Sequence, residues 1–148
     1  MRCLVFLTVF IVFCAGLLRA QDIRDGFGKM TQDDGSVYAG QFKDGAFEGK
    51  GTLTFPNGDK YVGGFSEGKF SGQGRIDYAD GRQYIGEFKY GLYEGQGVLL
   101  YTDGSKYKGQ FKEGLLNGQG VLTYADGTVY NGRFRGGDIA GAQTGSKD

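Results

Sequence analysis

The chain predicts an all-β fold: an elongated, twisted, single-layer antiparallel sheet of tandem 23-residue β-hairpins. Three observations carry that expectation. Tyr38, Tyr61, Tyr84, Tyr107 and Tyr130 recur at constant spacing with no insertion between them. Each is followed two positions later by Gly40, Gly63, Gly86, Gly109 or Gly132, and four positions later by Phe42, Phe65, Phe88, Phe111 or Phe134. Every full unit then closes on an aromatic and a turn: Phe55, Tyr78, Tyr101 and Tyr124 precede "PNG", "ADG", "TDG" and "ADG". A spacing of two puts Tyr, Gly and Phe on one face of a pleated strand. Helices are excluded by cost, because each interior Gly is about 1 kcal/mol worse than Ala and a unit holds about six of them.

The elements follow in chain order. "MRCLVFLTVFIVFCAGLLRA" has an early Arg2, an apolar run and a small residue at Ala20 before "QDIRD". It reads as a secretory signal over residues 1–20 with the cut after Ala20, which predicts a secreted or periplasmic protein. The alternative is an uncleaved N-terminal membrane anchor, for which the run is short against the ~20 apolar residues that span a bilayer. Removing the signal takes Arg2 and Arg19 from the 17 basic residues and leaves a net of −2 against the 17 acidic ones. Cys3 and Cys14 leave as well, so no disulfide framework is expected.

A short segment, 21–25, leads into the array, predicted over 26–141. A half-unit at 26–37 keeps Gly26, Gly28, Met30 and Gly35 in register. Units at 38–60, 61–83, 84–106 and 107–129 follow, then a half-unit at 130–141. Residues 142–148, "AQTGSKD" after Gly141, read as a disordered tail.

Within a unit, two strands of about five or six residues are expected, joined by a "KDGAFEG"-like loop and linked onward by an Asn-Gly or Asp-Gly hairpin turn. The predicted register sets Phe88 against Gly95, Gly86 against Gly97 and Tyr84 against Leu99. In the next hairpin it sets Tyr101 against Tyr107 and Gly97 against Phe111. Rings then lie over bare backbone, which is why Gly is tolerated in a strand.

The pattern Y-x-G-x-F-x-x-G-x-x-x-G-x-G, as in "YAGQFKDGAFEGKG" and "YKGQFKEGLLNGQG", resembles the MORN repeat, the membrane occupation and recognition nexus. The resemblance covers nearly the whole chain after the signal. It implies successive hairpins that serve protein interaction, dimerisation or scaffold assembly, with phospholipid contact in some members, and it implies no catalysis by itself.

The residues agree that no catalytic or cofactor site is to be expected. Histidine is absent, Trp is absent, and both cysteines lie in the signal. That removes the commonest general base, thiol nucleophile and metal ligands. Asp77 and Glu87 could be offered as paired carboxylates, but both fall on the solvent side with no counterpart in neighbouring units. The recurring "DGS", "DGR" and "DGT" supply one acid per turn, too few to converge on calcium. Balanced charge argues against nucleic acid as the main partner.

Specificity is therefore expected on the face opposite the rings. Val62, Ile85, Val98, Leu100, Lys108 and Val121 form the candidate partner face, with Ile85 across from Val98, Leu100 beside Lys108 and Lys108 across from Val121. A protein partner is the leading expectation. A homodimer would also cover unpaired end strands and an exposed strip. The alternative is phospholipid head-group binding through Lys43, Lys89, Lys112 and Arg135, which share one repeat position that Ser66 interrupts.

Overall fold

The computed structural model describes residues 24–140. The expected signal at 1–20, most of the lead-in segment and the expected tail at 142–148 lie outside the described residues. Eleven strands form: β1 (Gly26–Thr31), β2 (Val37–Lys43), β3 (Ala46–Thr54), β4 (Lys60–Ser66), β5 (Lys69–Asp77), β6 (Gln83–Lys89), β7 (Leu92–Leu100), β8 (Lys106–Lys112), β9 (Leu115–Thr123), β10 (Val129–Arg135) and β11 (Asp138–Ile139). They pair in sequence order, all antiparallel, in one unclosed sheet. The predicted all-β single sheet is what the chain forms.

The strands are longer than expected: seven residues in β2 and nine in β3, a difference repeated down the array. The two extra residues form a bulge. Gly86 pairs with Gly97, but the next pair is Glu87 with Glu94, so Gly95 and Gln96 are left over on β7. Gly95 sits at φ 57°, a left-handed conformation that favours glycine.

This bulge corrects the predicted register. Tyr84 does face Leu99 and Gly86 does face Gly97, but Phe88 faces Tyr93 rather than Gly95. Between units, Tyr107 pairs with Leu99 rather than Tyr101, and Phe111 with Gly95 rather than Gly97. That displacement is by two residues, so every ring keeps its face.

The turns also exchange roles. The tight two-residue reversal lies inside each unit, at Asp44-Gly45 with φ of 50° and 79°, the geometry of a type I′ hairpin. The onward link is a five-residue loop, Phe55 to Asp59, closed by Phe55 N–H donating to Asp59 O at 2.9 Å and Gly58 N–H donating to Phe55 O at 3.0 Å. The loop acid accepts from the backbone two residues on: Asp80 Oδ1 from Arg82 N–H at 3.0 Å, Asp103 Oδ1 from Ser105 N–H at 2.8 Å. These hydrogen bonds hold both carboxyls below the usual carboxylate range. The recurring acid thus fixes its own turn.

One face of the sheet carries the core. Tyr38, Tyr61, Tyr84 and Tyr107 are fully buried, and each hydroxyl donates to the carbonyl three residues on, from Tyr38 to Gln41 at 2.8 Å through Tyr107 to Gln110 at 3.0 Å. The Tyr84 ring covers Gly97 of the partner strand, where an added Cβ would lie 2.6 Å from Cε2. Rings do lie over bare backbone, and the covering ring is the repeat Tyr. Phe47, Phe70 and Tyr93 stack on successive Tyr rings at 3.8, 3.8 and 3.7 Å, while Phe65, Phe88 and Phe111 meet the previous unit's Tyr edge-on at 5.0 Å. Edge-to-face contacts of this kind add about 0.5–1.5 kcal/mol beyond burial and couple each unit to the next.

The bulge has its own clasp. Gln110 Oε1 accepts the Gln119 N–H at 2.8 Å, and Gln41 Oε1 accepts the Lys50 N–H at 3.1 Å. Removing the acceptor in Gln110→Ala is expected to lower stability by about 1 kcal/mol. Amide hydrogen exchange at Gln119 checks it; unchanged exchange there contradicts the assignment.

Candidate functional site

The face opposite the rings presents a continuous cross-strand row. Ala39, Thr52, Val62, Arg75, Ile85, Val98, Lys108, Val121 and Asn131 follow one another through direct pairs on β2 to β10. Five of the six predicted partner-face residues stand in it. Leu100 lies in the adjacent row: it pairs with Gln83 and Lys106, and Val98 is the residue beside Lys108. The predicted pairs of Ile85 with Val98 and of Lys108 with Val121 are present.

Exposure divides the row. Val62 is 44% exposed and Ile85 45%, while Val98 and Val121 are half-buried. Arg75 stands between Val62 and Ile85, but its guanidinium is drawn along its own strand by Asp77, with Nη2 to Oδ1 at 2.8 Å and Nε to Oδ2 at 2.9 Å. The two apolar side chains therefore stay open to solvent. A shallow depression of about 680 Å³ spans this region, walled by Phe27, Ala39, Thr52, Val62, Arg75 and Ile85 among others.

Phe27 was not anticipated. It lies on β1 opposite Gln41 and is 79% exposed, the most exposed large apolar side chain among the described residues. A signal was present: Phe27 occupies the repeat position that holds Lys50, Gln73, Gln96 and Gln119 elsewhere. An aromatic in a polar column marks a face that does more than meet water.

The four candidate lipid contacts, Lys43, Lys89, Lys112 and Arg135, all end their strands, exposed on this same face beside the hairpin tips. Ser66 interrupts them in sequence, yet Ser66 pairs directly with Lys69, which restores a positive charge at that tip. Tyr90, Leu92 and Leu115 are exposed at the neighbouring tips, with Lys89 Nζ 5.7 Å from the Tyr90 ring centre.

Asp77 and Glu87 are not cross-strand partners. Asp77 pairs with Gln83 and is bound to Arg75, whose hydrogen bond holds its carboxyl below the usual range, the opposite of an acid catalyst's shift. Glu87 pairs with Gln73 and Glu94 instead. Among the described residues no group of three or more His, Cys, Asp or Glu is placed to hold a metal.

The repeat geometry agrees with comparison to known families. The MORN repeat family matches residues 20–37, 38–60, 61–81, 84–106 and 107–129. No curated protein matches the chain. With five consecutive matches spread over most of its length, and a sheet built of the corresponding hairpins, the chain belongs to the MORN-repeat family.

Proposed function

We propose that this protein is a non-catalytic interaction module that presents the outer face of its sheet to a protein partner and acts as a scaffold in a secreted or periplasmic setting. MORN repeats are protein or lipid interaction modules, and the compartment follows from reading residues 1–20 as a cleaved signal. The observation that carries the proposal is the open apolar strip of Val62, Ile85 and Phe27, held clear by the Arg75–Asp77 pair. An apolar strip rimmed by charge is the composition of an interface core. A second copy of the chain is one such partner.

The test is partner capture by chemical crosslinking in the native compartment, comparing the wild type with Ile85→Asp. A charge there desolvates poorly against any apolar partner and is expected to reduce capture at least about tenfold. Because Ile85 is half open, the thermal midpoint should stay within about 2 °C of the wild type. Equal capture by the variant removes this face from the interaction.

The tip row favours a second reading, peripheral binding to phospholipid head groups. Lys43, Lys69, Lys89, Lys112 and Arg135 give a basic line with Tyr90 and Leu115 available at its edge. Co-sedimentation with anionic vesicles that falls with added salt would support it, and Lys89→Glu with Lys112→Glu should then abolish binding. Absence of sedimentation leaves the protein partner.

A further inference from the structure

The ring face changes character toward the C-terminal end. At the position where Phe47, Phe70 and Tyr93 stack on the repeat Tyr, the next two units have Leu116 and Ile139. At a second position, in the loops between units, Arg82 gives way to Ser105. The two changes meet in space. In the loop after β5, the Tyr78 hydroxyl bonds to that of Tyr93, the Arg82 guanidinium lies 4.5 Å from the Tyr78 ring centre, and its Nε is 2.8 Å from Asp80 Oδ2. One unit on, Tyr101 and Asp103 stand where Tyr78 and Asp80 stood, but Leu116 supplies no ring and Ser105 no guanidinium. A cavity of about 570 Å³ opens there, walled in part by Tyr101, Asp103, Leu116, Tyr124 and Asp138.

We propose that this cavity binds the guanidinium of an arginine side chain offered by a protein partner. The inference deepens the protein-interaction reading and rests on it, while placing a second contact on the opposite face of the sheet. The preceding unit is its internal template: an arginine guanidinium over a tyrosine ring, its Nε donating to the carboxylate two residues after that tyrosine. Both parts of that receptor recur here. Tyr101 offers the ring, and Asp103 stays ionised because the Ser105 N–H and Oγ donate to it at 2.8 and 2.9 Å.

Charge favours the same occupant. Among the described residues the lining holds two carboxylates, Asp103 and Asp138, and no basic side chain. Tyr124, 40% exposed, stands at the wall as a second aromatic surface. A planar, delocalised cation stacks on a ring and bonds a carboxylate at once, which a lysine ammonium does not reproduce. In the template, Arg82 Nε occupies the Oδ2 position that Ser105 Oγ takes here, so a bound guanidinium would share or displace that single hydroxyl contact.

Titration of the chain with N-acetylarginine amide, followed by amide shifts in nuclear magnetic resonance, tests the assignment. Shifts confined to the neighbourhood of Tyr101, Ser105 and Gly137–Ile139 are expected, at millimolar strength for so small a probe. The lysine and citrulline analogues, which keep the charge or the plane but not both, should bind at least about fivefold more weakly. Asp103→Asn should weaken arginine binding about tenfold. Ser105→Arg with Leu116→Tyr rebuilds the preceding unit's arrangement, which this fold already accommodates, and should abolish the response. Equal response to lysine, shifts mapping elsewhere, or persistence in the rebuilt variant overturns the proposal. The Ile85→Asp test reads the other face, so failure of the cavity assignment and failure of the outer-face reading are distinguishable.

Discussion

Replacing Gly97 with valine is expected to lower the unfolding free energy by about 3 kcal/mol, measured by urea denaturation. The first added carbon would lie 2.6 Å from Tyr84 Cε2 and 2.6 Å from its Oη, inside any real contact. Tyr84 has no room to withdraw: it is fully buried, stacked on Tyr93 at 3.7 Å, and its hydroxyl donates to Glu87 O at 2.9 Å. The cost must therefore come from moving the ring off the sheet or opening the β6–β7 pairing. A double-mutant cycle isolates this cause. In a Tyr84→Leu background the shorter side chain leaves the space above Gly97 free, so Gly97→Val should lose at least about 1 kcal/mol of its penalty there. Each unit touches only its neighbours, so the damage should be local, with faster amide exchange in β6 to β8 while β1 to β3 stays protected. A loss below about 0.5 kcal/mol, ordinary for a surface site, would mean that ring and glycine do not support each other.

The same contact shows how far the residues could be read before the structure. Tyr84, Gly86 and Gly97 announced themselves by period, and the pairs of Tyr84 with Leu99 and Gly86 with Gly97 are as the pattern implies. The bulge was hidden because Gly95 and Gly97 also stand two apart, so an inserted pair of residues imitates uninterrupted alternation. Only the positive φ of Gly95 distinguishes them, and a glycine does not advertise its φ. The turn roles were hidden for a related reason: Asp44-Gly45 and Asn57-Gly58 are both strong hairpin signals, and chain pattern alone does not say which reverses in two residues. On the outer face, Val62 and Ile85 follow directly from the Tyr period. Phe27 sits in a half-unit anchored only by its glycines and Met30, outside the reach of the Tyr period. Lys69 meets Ser66 only across a hairpin. The cavity beside Tyr101 is legible only once the stacking partners are known, because Ser105 and Leu116 are unremarkable residues until Arg82 and Tyr93 are seen to touch the same Tyr78.

Alkaline solution should destabilise the sheet progressively from about pH 10 upward, because burial has placed so many phenols in the core. Burial pushes the Tyr61 phenol up from 10.0 to about 12. Burial likewise raises Tyr38, Tyr84, Tyr93, Tyr101 and Tyr107. The sign follows from where the proton is held. Below pH 10 both folded and unfolded tyrosines are neutral, and the full stability is present. Above it the unfolded chain releases protons that the folded core retains, so the unfolded state gains, and the loss continues until the pH passes the folded value. Ionisation within the core would also leave Tyr61 Oη facing the Gly64 carbonyl, 2.8 Å away, without the hydrogen it now donates. Tyr61→Phe provides the discriminating measurement. At neutral pH it should be less stable than the wild type by about 1 kcal/mol, the worth of that hydrogen bond. Between about pH 10 and pH 12 the gap should close and then reverse, because phenylalanine has no proton for the unfolded state to release. Groups other than Tyr61 titrate alike in the two proteins and cancel from the difference, so parallel stability curves across that interval would show that the buried phenol is not what alkali attacks.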